Sequence, residues 1–124
     1  MKKSIVTNKA PGAIGPYSQG IDAGSFVFLS GQLPINPETG EMPDGISQQT
    51  AQSLANVKEV LAEAGLSICN VVKTTVFLAD MNDFGAMNEV YATVFSAPFP
   101  ARSAVAVKTL PKNALVEIEV IAVR

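Results

Sequence analysis

The closing stretch Leu115-Val116-Glu117-Ile118-Glu119-Val120-Ile121-Ala122-Val123 most narrows what this chain can become. It alternates like a β-strand, with Val116, Ile118, Val120 and Ala122 forming an unbroken apolar face suited to packing on helices. The opposite face carries Leu115, Glu117, Glu119, Ile121 and Val123. Three of those five are aliphatic, so this side is not an ordinary solvated face. Two helices can cover only one side of a sheet holding such a strand. The economical cover for the other side is a second copy of the same chain, which would put a pocket containing Glu117 at a subunit interface.

Composition supports that expectation. Of 124 residues 48% are apolar and only 16% charged, which is little polar surface for a small monomer. The length fits one domain spanning 1–124. A net charge of −2 gives no basic footprint for nucleic acid or an anionic membrane. No apolar run is long enough to span a bilayer, and the basic start Met1-Lys2-Lys3 lacks a hydrophobic region behind it. The cytoplasm is therefore the expected location. Histidine is absent, which removes Ser-His-Asp and Cys-His catalysis and leaves no plausible transition-metal cluster; no metal or cofactor is expected. The single cysteine, Cys69, sits among Leu66, Ile68 and Val71 and reads as a small core residue.

Along the chain, residues 3–7 make a short strand. A Gly/Pro-rich loop over 8–16 follows, with small residues that allow close backbone approach. Residues 17–22, a turn at Ala23-Gly24 and a run over 25–32 form a hairpin. A helix is expected over 47–64, with Ser47 as N-cap and Gly65 just past its end. A strand lies within 68–79, and a second helix runs to about Phe95 after a cap at Asn82 or Asp83. The fold class is α+β, two helices on one face of a mixed sheet.

Pro98-Phe99-Pro100-Ala101-Arg102-Ser103-Ala104-Val105 stands out for chemistry. Two prolines stiffen the approach to one arginine at the mouth of an apolar strand. Such a guanidinium offers a planar fork of donors to a carboxylate, although many strand-start arginines are solvated or half of a surface ion pair. Arg102 as anion binder and Glu117 as water handler would share one pocket. Tyr17 is either a core aromatic or a pocket wall, and Phe99 can be read as core.

These segments resemble the RidA/YjgF family of reactive-intermediate deaminases. The resemblance rests on Pro100-Ala101-Arg102-Ser103, Leu110-Pro111-Lys112 and Val116-Glu117-Ile118. Ala13-Ile14-Gly15-Pro16-Tyr17-Ser18-Gln19, Leu29-Ser30-Gly31-Gln32 and Val72-Lys73-Thr74-Thr75-Val76-Phe77 extend it over the whole chain. It implies a chorismate-mutase-like fold, assembled as a homotrimer whose uncovered sheet faces form a central barrel, with sites in clefts between subunits. It implies hydrolysis of 2-imino acids such as 2-iminobutanoate and 2-iminopropanoate to 2-oxo acids and ammonia. By the same resemblance Arg102 grips the substrate carboxylate and Glu117 activates water. Tyr17, Ser30, Gly31 (through its backbone) and Asn88 shape the pocket, as does Ala104, which stands where many relatives carry cysteine. Glu119 is given no chemistry. The segment 96–99 looks shorter than in many relatives. Two other functions compete: a non-catalytic trimer that binds a small carboxylate or amino acid, and the ribonuclease or translation-inhibitor role described for some members. The acidic balance and missing histidine argue against the latter.

Overall fold

The computed structural model describes residues 1–124. Six strands and two helices follow in the order β1 (Lys3–Ile5), β2 (Gly20–Asp22), β3 (Phe26–Leu29), α1 (Ile46–Glu63), β4 (Val71–Leu78), α2 (Phe84–Val94), β5 (Ala101–Ala106) and β6 (Val116–Val123). One mixed sheet holds all six strands in the order β1-β2-β3-β6-β4-β5. The β4–β5 pair is parallel and every other pair antiparallel. This is the expected α+β arrangement.

The alternation of β6 sets the layering. Val116, Ile118, Val120 and Ala122 are buried beneath the helices with Val27, Leu29, Val76 and Leu78. Leu54, Val57, Val60 and Leu61 of α1 and Met87 and Tyr91 of α2 close the core from above. Each fully buried leucine contributes about 2 kcal/mol through removal of apolar area from water. Glu117, Glu119, Ile121 and Val123 point to the other side, where no element of the chain covers the sheet. Phe26 and Phe28 lie on that open side, 47% and 44% exposed.

The helix boundaries differ from those expected. The first helix begins at Ile46, with Gly45 at the N-cap (φ 81) and no side-chain cap. Ser47 is an exposed first-turn residue instead, because the helix starts one residue earlier, at Ile46, which packs against the core. Gly65, at φ 76, ends the helix as expected. Before α2, the side-chain cap comes from Asp80, whose Oδ1 accepts from Asn82 N–H at 2.9 Å. A 3-10 turn over Met81–Asp83 then leads in, and Asp83 makes no cap bond of its own.

Two core assignments fail. Cys69 is exposed, since it lies in the 3-10 turn Ile68–Asn70 that carries the chain from α1 to β4, outside the helix and strand periodicity. Phe99 is 60% exposed beside the edge strand β5.

Candidate active site

Continuing β3 regularly past Phe28, which faces Ile121, would set Gln32 opposite Glu117. Gln32 instead pairs with Ile118, so Leu29, Ser30 and Gly31 stand against only Glu119 and Val120. The extra residue is a β-bulge, a device that re-aims side chains. Past it, Gln32 turns inward, where Ser53 of α1 donates to its carbonyl at 2.7 Å. Gly31 is thereby delivered to the open face beside Glu117. A Cβ on Gly31 would collide with the Glu117 carboxylate.

Glu117 sits in a cavity of about 660 Å³ whose walls include Tyr17, Ser30, Gly31, Ile14 and Lys112. It is the only acidic residue there. Burial raises its pKa above the ordinary 4.5, and the charge of Glu119 adds to the shift. Such a carboxyl is a stronger base when ionised than an exposed glutamate. Tyr17 is 52% exposed and lines this cavity, so it is not a core aromatic. The Ser30 hydroxyl donates to Ser18 C=O at 2.5 Å.

Arg102 lies elsewhere. In the β4–β5 register it pairs with Thr74, which is buried on the helix side and shares a 2.8 Å hydrogen bond with the hydroxyl of Tyr91. Its guanidinium stacks on that Tyr91, 4.7 Å from the ring centroid, and 5.3 Å from that of Phe84. Nη1 donates to Asn88 Oδ1 at 2.6 Å. Phe84, Asn88 and Tyr91 recur at helical spacing on α2 and form a rigid cradle. No carboxylate of the chain pairs with Arg102, and the one salt bridge joins Arg124 to Asp22. With Asn88, Tyr91 and Phe99 it lines a second cavity of about 470 Å³. Ala104, two residues on, pairs with Val76 and packs against the core on the same side.

Within one chain the expected residues therefore form two groups. Tyr17, Ser30, Gly31 and Glu117 gather in one cavity. Arg102 and Asn88 line the other, with Ala104 on their side of the sheet. Arg102 and Glu117 project from opposite sides of the sheet and do not share a pocket.

Several supporting residues carry no motif signal. Asn56 of α1 donates through Nδ2 to the carbonyls of Leu33 and Ile35, both at 2.9 Å, holding a cavity wall. Gln49 accepts from Leu115 N–H at 2.8 Å just before β6. These polar residues lie on the buried edge of α1, and only their offset from the apolar stripe hints at a role.

The endoribonuclease L-PSP family matches residues 7–124. The chain belongs to this family. Its RidA/YjgF character is equally plain: 2-iminobutanoate/2-iminopropanoate deaminase of Escherichia coli is 52% identical, over 100% of this chain and 99% of the relative. Among solved structures of such proteins, E. coli TdcF with bound serine superposes with a TM-score of 0.95 at 53% identity, covering 98% of both chains. RidA from an Antarctic Psychrobacter does so at 0.95 and 45%, covering 98% of this chain and 99% of the other. The family's YjgF-like fold thus agrees with the α+β sheet and its two helices.

Proposed function

We infer that this family member is a 2-iminobutanoate/2-iminopropanoate deaminase, hydrolysing 2-imino acids to 2-oxo acids and ammonia, and that it works as a homotrimer in the cytoplasm. The observation that carries the chemistry is Glu117, the lone acidic group of its cavity, with burial pushing its pKa upward. The edge strand β5 presents Arg102 without a carboxylate partner, and the open sheet face bears Phe26 and Phe28. Both features favour a neighbouring copy whose Arg102 edge closes this copy's Glu117 cavity.

A 2-imino acid protonated at nitrogen has an electrophilic carbon and a carboxylate handle. Arg102, already oriented by Asn88, takes the carboxylate with its remaining donors. Glu117 accepts a proton from water as the water oxygen bonds to the imine carbon. The resulting carbinolamine takes that proton from Glu117 onto nitrogen. As the C–N bond breaks and ammonia leaves, the hydroxyl returns its proton to Glu117 and becomes the carbonyl of the 2-oxo acid, and ammonia carries the proton off as ammonium. Positioning supplies most of the acceleration, since the protonated imine is reactive by itself.

The test is release of 2-oxobutanoate from 2-iminobutanoate generated in situ by a dehydratase. Acceleration over buffer supports the deaminase. The relative with bound serine favours a second reading, a trimer that binds small amino or oxo acids without turnover. Tight binding of 2-oxobutanoate with no acceleration would establish that alternative.

A further inference from the structure

Gln19 is 3% exposed and joins two walls of the Glu117 cavity. Its Oε1 accepts from Thr7 N–H at 2.8 Å. Its Nε2 donates to the carbonyls of Thr7 at 2.9 Å, Pro11 at 2.8 Å and, more weakly, Ala10 at 3.4 Å. Its own carbonyl accepts from Ser30 N–H at 2.9 Å. The other hydrogen bonds within residues 7–17 are local: Lys9 N–H to Thr7 Oγ1 and Tyr17 N–H to Gly15 C=O. The loop that carries Ile14 is thus tied to its own base at Gln19 through one side chain. That base meets Ser30 of the bulge through two carbonyls, that of Gln19 and that of Ser18, which accepts from the Ser30 hydroxyl. The anchor itself is firm. The next residue, Gly20, lies so close under α1 that a Cβ there would stand 3.2 Å from both Ile5 Cδ1 and Val60 Cγ1.

We propose that Gln19 is a positioning residue of the site: its amide sets the Ile14–Tyr17 wall relative to Glu117 and thereby fixes how closely the substrate side chain is enclosed. This rests on the deaminase reading.

Gln19→Met keeps the side chain's length and removes its four bonds. Amide hydrogen exchange over residues 8–17 is expected to accelerate by about tenfold or more, with β4 and β6 unchanged. KM for 2-iminobutanoate is expected to rise about fivefold with kcat held within about twofold, because Arg102 and Glu117 stay in place. Gln19→Glu retains the acceptor for Thr7 N–H and should fall between; it carries the comparison if the methionine variant does not fold. An unchanged KM with a loosened loop overturns the proposal, as does unchanged loop exchange or equal acceleration throughout the core. If the wild type fails to hydrolyse the imine, the deaminase reading falls separately. The dissociation constant of 2-oxobutanoate for the same proteins then decides: about fivefold weaker binding supports the role of Gln19, and equal binding refutes it.

Discussion

Gly31 and Glu117 claim the same space. A Cβ built on residue 31 would overlap Glu117 Oε2 and stand 2.8 Å from its Cδ. Gly31 has no positive φ, so room and not backbone conformation demands glycine here. The colliding atoms are the far end of a flexible side chain, which can swing away more cheaply than the strand can move.

Gly31→Ala should therefore fold and fail in chemistry. A displaced base loses about ten- to a hundredfold in kcat, while the melting temperature falls by only a few degrees. Parallel measurement of kcat and thermal unfolding checks this; full activity would mean that Glu117 works from another rotamer.

Arg102→Lys keeps the charge and discards both the planar fork and the stacking on Tyr91. We expect kcat/KM to drop about ten- to a hundredfold, with a larger drop for Arg102→Ala. Stability should change little, since the guanidinium is only half-buried. Steady-state kinetics on both variants, beside their melting curves, decide the matter.

Sharing of the site between copies has a direct test. Arg102→Ala and Glu117→Ala should each be inactive, yet unfolding and refolding an equal mixture should restore about a quarter of wild-type activity. Each mixed trimer would then contain one interface with both residues intact. No recovery, with trimers confirmed by sedimentation, would place both groups' work within a single chain.

Glu117 also makes stability depend on pH. Burial raises its folded-state pKa, with Glu119 adding to the effect, so the ionised form is disfavoured by folding. The cost is absent below the ordinary value of 4.5, grows as pH climbs through the raised folded value and is complete above it. Glu117→Gln should melt above the wild type at neutral pH, and the gap should close on acidification. In the wild type, kcat/KM should rise along an acid limb centred higher than an ordinary glutamate's, as the base form fills. A limb at or below the ordinary value would show that solvent, or the guanidinium of the neighbouring copy's Arg102, offsets the burial in the working enzyme.

The closing strand made the layering legible before any coordinates: its alternation assigned Val116, Ile118, Val120 and Ala122 to the core and Glu117 to the open side. Arg102 and Glu117 were equally visible as residues of interest. Their separation was not, because parallel pairing with Thr74 turns Arg102 toward the helices, and pairing partners cannot be read from local alternation. Cys69 misled because apolar neighbours in a 3-10 turn do not share a face. The roles of Gln19 and Asn56 were silent because their partners are backbone groups, which every residue possesses.

The bulge at Leu29-Ser30-Gly31 links matters usually free to vary separately. Removing one residue from that tract would leave Gln32 on the open side, detach its carbonyl from Ser53 and withdraw the hollow that receives the Glu117 carboxyl. Side chains along the tract can be exchanged one at a time, but its length is a single setting that fixes helix anchorage and base placement together.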